Sequence, residues 1–183
     1  MKIIPTSLPG LLLFEPTVYE DARGTFMETF HRQRYREAGV DFELVQENLS
    51  TSYRGVLRGL HFQLHRPQGK LTQCTSGAIY DVGVDIRRGS PTFGAWFGTI
   101  LSAENHRQLW IPPGFAHGFL AMSDRAEVVY RCTDLYSPTD ERTVRWNDPQ
   151  LGIAWPLDGE PLLSKRDAIA PLVADAELPM FDS

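Results

Sequence analysis

Short runs of apolar residues, some alternating with polar ones and some continuous, recur along most of this chain between turn signals, the mark of strands. The pattern predicts strands at Leu12–Tyr19, Thr25–Thr29, Leu44–Ser52, Val56–Gln63, Leu71–Cys74, Ala78–Asp85, Ala95–Leu101, Gln108–Ile111, Gly118–Met122 and Glu127–Thr133. Helical spacing stands out once, over Phe30–Ala38, and the Gly39 that follows suits a helix C-terminus. Turn signals separate the strands: Asp21-Ala22-Arg23-Gly24, Ser76-Gly77, Arg88-Gly89-Ser90-Pro91 and Pro112-Pro113-Gly114. Many short strands without repeat or linker predict one all-β domain over 1–183, an antiparallel jelly-roll sandwich or barrel whose mouth can take a ligand. The proline-rich tail after Asp148 is expected to wrap the surface.

Composition narrows the picture. The 183 residues are 42% hydrophobic and 22% charged, an ordinary globular balance. A chain of this size buries roughly 70% of its unfolded surface, so no disulfide or structural metal is needed to hold a core. Cys74 and Cys132 lie in apolar stretches with no metal-type spacing and read as reduced core thiols. The formal charge of −5 provides no general footprint for nucleic acid or an anionic membrane. The apolar run Leu11–Phe14 is too short for a signal or a span, so the cytoplasm is the expected compartment.

Two of the five histidines stand in suggestive surroundings, His61 in Arg58-Gly59-Leu60-His61-Phe62-Gln63 and His117 in Ile111–Phe119. His31, His65 and His106 read as solvated or helix-adjacent. A histidine among strand residues is more often a hydrogen-bonded core residue than a catalyst, so the surroundings must decide. Pro112-x-Gly114-x-x-His117 resembles half of a cupin metal signature, but the His-x-His pair and following Glu that complete such a site are missing around His61 and His65. A metal-dependent cupin is therefore disfavoured.

Several longer blocks point elsewhere: Arg58–Gln63, Gln68-Gly69-Lys70-Leu71, Asp81-Val82-Gly83-Val84-Asp85-Ile86-Arg87, Ser90-Pro91-Thr92-Phe93-Gly94, Ile111–Phe119 and Trp146-Asn147-Asp148-Pro149. In order and spacing, from about Leu12 to Asp167, they resemble the dTDP-4-dehydrorhamnose 3,5-epimerase family. The resemblance implies a cupin-type jelly roll with a few short helices, without metal or other cofactor, forming a homodimer. It also implies a dTDP-4-keto-6-deoxyhexose substrate, inverted at C3 and C5 beside the C4 ketone. Such chemistry needs a base, a stabiliser for the enolate oxygen, and an acid on the opposite face.

By resemblance His61 is the base and Asp167 the carboxylate that orients it. Lys70 stabilises the enolate oxygen, and Tyr130, on one strand face with Val128 and Cys132, is the proton donor. Arg23, Arg58 and His117 match positions at the substrate and its phosphates, and Tyr136 matches the aromatic that stacks on thymine. Glu28, Gln46, Asn48 and Glu141 match further contacts. Arg166 stands where the family usually carries Lys, which keeps the charge but replaces a point donor with a planar fork. In isolation Asp167 and Lys70 would read as solvated surface residues, and Tyr130 as a core tyrosine.

Arg58 and His61 are three apart, so a regular strand would aim them at opposite faces, unless a bulge at Gly59 re-aims one. Two alternatives share most of the motifs: a single-site epimerase acting at C3 or C5 alone, and a non-catalytic cupin that binds a sugar nucleotide.

Overall fold

The computed structural model describes residues 1–181; the last two positions of the expected domain, 182 and 183, lie outside the described residues. In chain order the elements are β1 (Lys2–Pro5), β2 (Leu12–Glu15), β3 (Val18–Asp21), β4 (Gly24–Met27), α1 (Arg32–Glu37), β5 (Gln46–Tyr53), β6 (Leu57–Gln63) and β7 (Lys70–Ser76). They continue with β8 (Ala78–Asp85), β9 (Trp96–Ser102), β10 (Gln108–Ile111), β11 (Phe115–Ala121), β12 (Arg125–Cys132), β13 (Glu141–Thr143) and α2 (Lys165–Ala168). One sheet has the order β1-β2-β10-β7-β12-β5, the other β13-β6-β11-β8-β9, and β3-β4 form a separate hairpin. Neighbouring strands pair antiparallel, as a jelly roll requires.

Alternation along the strands explains both the core and the cavity. Leu13, Leu109, Cys74 and Val128 of the first sheet meet Ile79, Leu101, Phe119 and Ala121 of the second in one buried cluster. Further along the same inward faces the residues turn polar: Gln46, Asn48 and Ser50 on β5, Lys70 and Thr72 on β7, Tyr130 on β12. One end of the sandwich is therefore packed shut and the other is left open and polar.

Two further clusters seal the outer faces. Phe14, Leu71 and Trp110 lie under Tyr35 and Val40 of the α1 region. Leu60, Phe62, Val82, Val84 and Val144 are covered by Leu151, Val173, Ala176 and Leu178. The tail thus wraps the molecule as expected, but it also buries core residues. At about 1.5–3 kcal/mol for each fully buried Leu or Val, this packing can fix a segment that has little secondary structure.

Several boundaries differ from the sequence pattern. Leu12–Tyr19 divides into β2 and β3 around Pro16, which has no N–H for a continuous ladder. The helix is shorter than predicted: His31 caps α1, its side chain accepting from the Arg34 amide, and Gly39 follows at φ +102°. β11 begins at Phe115, three residues before the predicted Gly118. The short β1, β13 and α2 were not predicted. Both cysteines are free and buried, and among the described residues no helix is long and apolar enough to cross a membrane.

The spacing of Arg58 and His61 is resolved in the β6–β11 ladder. His117 pairs with His61 and Phe119 with Arg58, so three steps on β6 oppose two on β11. Gly59 absorbs the extra residue at φ +117°, and a Cβ there would fall 2.6 Å from the Gly118 Cα and the His117 carbonyl oxygen. With this bulge, Arg58 and His61 both line the same cavity.

Candidate active site

The open end of the sandwich encloses a cavity of about 350 Å³. Its two walls come from different sheets. His61 and Arg58 on β6, His117 on β11 and Glu141 on β13 form one wall; Gln46 and Asn48 on β5, Lys70 on β7 and Tyr130 on β12 form the other.

His61 is held from behind. Its Nε2 lies 2.6 Å from Asp167 Oδ1, with the histidine side chain 29% exposed and the carboxylate 3%. Ser164 caps α2 by accepting from the Asp167 amide, which fixes the carboxylate on the first turn. Burial alone would raise the Asp167 pKa, but hydrogen bonds from His61 and the Gly59 N–H, with the His61 charge, outweigh it and leave the carboxyl below its ordinary value. An ionised carboxylate only accepts, so in the neutral form of the ring the proton of His61 sits on Nε2 and the lone pair on Nδ1.

A second pair stands beside the first. His117 Nε2 lies 2.7 Å from Asp81 Oδ1, both groups deeply buried. Asp81 escaped the sequence reading: it occupies an inward position on β8, yet alternation alone cannot show what a buried acid faces.

On the opposite wall, Lys70 makes no ion pair among the described residues. Burial pulls its ammonium below the usual lysine range, while Cys132, Glu141 and Asp81 oppose the shift. Tyr130 is shifted upward, again chiefly by burial, with the Arg58 charge acting the other way. Arg58 itself is tethered, Nε donating to Ser52 Oγ at 2.9 Å and Nη2 to the Thr51 carbonyl at 3.1 Å.

The rim is a connected network. The Tyr136 hydroxyl donates to Glu141 Oε2 at 2.8 Å and its amide to Gln46 Oε1 at 2.8 Å, while Gln46 donates to Asn48 Oδ1 at 2.9 Å. Arg166 uses both arms of its fork on Glu141, one on the carboxylate and one on the backbone carbonyl. Arg166 and Asp167 do not line the cavity itself; they border a second groove behind the base, together with Arg58, His61 and Glu141. This network leaves Tyr136 half-exposed, free to present its ring to a planar base.

Two of the sequence candidates lie apart. Arg23 is on the β3–β4 hairpin, where it pairs with Asp21, and Glu28 pairs with Arg34; neither lines the cavity. Conversely, Ser50, Gln63, Gln68 and Phe119 line the cavity without having been singled out. Among the described residues no group of three His, Cys, Asp or Glu side chains is placed to hold a metal ion.

Residues 5–175 match the family model described as dTDP-4-dehydrorhamnose 3,5-epimerase. A protein so named from Neisseria gonorrhoeae is 54% identical over 177 residues, 97% of this chain; the chain spans 54% of that relative, about half its length. Among solved structures, dTDP-6-deoxy-D-glucose-3,5-epimerase from Legionella pneumophila Philadelphia 1, in complex with dTDP-4-keto-L-rhamnose, superposes with a TM-score of 0.97. It is 48% identical, and the match covers 100% of this chain and 99% of that one. A 3′-monoepimerase from Streptomyces bikiniensis, in complex with dTDP-quinovose, superposes with a TM-score of 0.91 at 43% identity, covering 96% of this chain and 92% of that one.

Proposed function

The chain belongs to the dTDP-4-dehydrorhamnose 3,5-epimerase family, and from that membership we propose that its cavity inverts C3 and C5 of dTDP-4-dehydro-6-deoxy-α-D-glucose to give dTDP-4-dehydro-β-L-rhamnose for dTDP-L-rhamnose biosynthesis. The observation that carries this reading is the placement of His61 and Tyr130 on facing sheets of one cavity. Inversion requires a proton to leave one face of a carbon and return to the other.

His61 Nδ1 takes the proton from the carbon beside the C4 ketone, and Asp167 stabilises the imidazolium that forms. The electron pair moves into the enolate, whose oxygen is met by Lys70 in a site where a charge is poorly screened. Tyr130, which burial keeps protonated, delivers its proton to the opposite face. Each inversion leaves His61 protonated and Tyr130 ionised, so exchange with water must reset the pair before the second. Arg58 and Arg166 supply the charge for a diphosphate, His117 a further contact, and Tyr136 the plate for the base. A nucleotide-sugar substrate fits work in the cytoplasm.

Arg23 and Glu28 fit this scheme through a second copy. The β3–β4 hairpin exposes Tyr19 and Phe26, and the outer face of β5 exposes Leu49 and Tyr53, an apolar surface suited to a homodimer in which the hairpin reaches the neighbouring cavity. A monomer by light scattering at working concentration contradicts that part.

The test is incubation with the substrate in heavy water. Deuterium at C3 and C5 supports the double epimerase; no exchange at either carbon overturns it and leaves a binding module. The likeness to a 3′-monoepimerase keeps a single-site reading in play, and deuterium at one carbon alone selects it.

A further inference from the structure

Four buried side-chain atoms have no hydrogen-bond partner among the described residues: Ser50 Oγ, Thr72 Oγ1, Thr143 Oγ1 and Asp81 Oδ2. Native interiors pair nearly all such groups, so each unmet one calls for a physical reason. Here the four are gathered, not scattered. Thr72 stands opposite Tyr130 in the β7–β12 ladder, Thr143 opposite His61 in β6–β13, and Ser50 opposite Val128, two residues from Tyr130. Asp81 backs His117. The unused hydrogen-bonding capacity of the interior is concentrated around one cavity.

Of these residues only Ser50 also lines the cavity. Its neighbours on the same face of β5 are engaged: Ser52 accepts from Arg58 Nε at 2.9 Å, and Asn48 accepts from Gln46 and donates to Cys132 Sγ. Ser50 sits between them with a hydroxyl that nothing holds. A serine hydroxyl is re-aimed by rotation about one bond, Cα–Cβ, among three staggered positions.

The substrate has a group that suits this position. At C3 and C5 the substituents swing from one side of the ring to the other during the reaction, whereas the C2 hydroxyl keeps its configuration throughout. A hydrogen bond to it can hold the ring through both inversions. We propose that Ser50 Oγ binds the C2 hydroxyl of the 4-keto hexose and selects for sugars that carry it. This rests on the epimerase reading above.

Wild type and Ser50→Ala are compared in deuterium exchange on the parent substrate and on its 2-deoxy analogue. The expected pattern is a roughly tenfold lower kcat/KM for Ser50→Ala on the parent, a similar drop for wild type on the analogue, and no further loss when both changes are combined. Equal losses for the variant on both substrates, or no loss on the parent, overturn the proposal. The variant removes only an unpaired atom, so its Tm should match or exceed that of wild type; a clear fall shows that the hydroxyl had a partner in the wall and overturns it too. Wild-type exchange on the parent is measured first, since its absence fails the epimerase reading and this proposal with it, whereas its presence isolates the question of Ser50.

Discussion

Two histidine–aspartate pairs stand side by side in this molecule, because His61 and His117 face each other across the β6–β11 ladder, and their surroundings differ. The carboxylate for His61 arrives on α2, 106 residues away in sequence, and is supported by Ser164 and the Gly59 N–H. The carboxylate for His117 comes from β8 in the same sheet and has one oxygen unpaired. Exposure separates them further: the His61 side chain is 29% accessible and that of His117 8%. A base must show its lone pair to substrate and exchange its proton with water. A deeply buried imidazole is better suited to presenting one fixed donor or acceptor.

The sharpest way to break this comparison is to remove the exposed imidazole. His61→Ala is expected to lower the exchange rate at C3 and C5 by about 10²–10⁴-fold, the usual contribution of a positioned general base. dTDP affinity, measured by calorimetry, should stay nearly unchanged, because Arg58, Arg166 and Tyr136 remain. Wild-type turnover in this variant would transfer the role of base to another group, with His117 the first candidate.

Much of this contrast could be read before the fold was known, but not all of it. The inward positions of β12 follow from alternation, so Tyr130 could be placed on a strand; Lys70 fell just outside the predicted Leu71–Cys74, and the structure puts it at the first position of β7. Asp167 could not: α2 has only four residues, too few for a periodic signal, and its neighbours Lys165 and Arg166 look like solvated surface. Only the family resemblance singled it out. The shared orientation of Arg58 and His61 depends on a bulge at Gly59, which the glycine permits but does not dictate. β13 has three residues, and it alone brings Glu141 and Thr143 beside the site. Asp81 lay in a recognisable block, but the partner of an inward-facing acid is set by the adjacent strand.

Asp167→Asn sharpens the comparison at the carboxylate. It keeps shape but no longer fixes the tautomer or supports the imidazolium, so exchange should fall on the order of 10²-fold, with KM changing little. Stability should respond to pH as well. The Asp167 carboxyl is held below its ordinary value of 3.8, so its stabilising contribution is present above that value and is lost as pH falls through the lower folded value. The Tm gap between wild type and Asp167→Asn should therefore be open near neutrality and close in acid. A gap that persists unchanged below pH 3.8 would show that the pairing does not depend on ionised Asp167.

Asp81→Asn is the matching change in the buried pair, and the smallest effect is expected there. The replacement keeps an acceptor for His117 Nε2–H while its amide nitrogen takes the place of an oxygen that already lacks a partner. What is lost is the difference between a carboxyl and an amide oxygen as the partner of His117 in one hydrogen bond, about 1 kcal/mol of stability. Exchange should fall less than tenfold, because the mechanism proposed above routes no proton through this pair. Titration of dTDP and single-turnover exchange, run together, locate any change in binding or in chemistry. A loss in the chemical step as large as that of Asp167→Asn would mean that both pairs move protons, and the difference in burial between His61 and His117 would then no longer mark a division of roles.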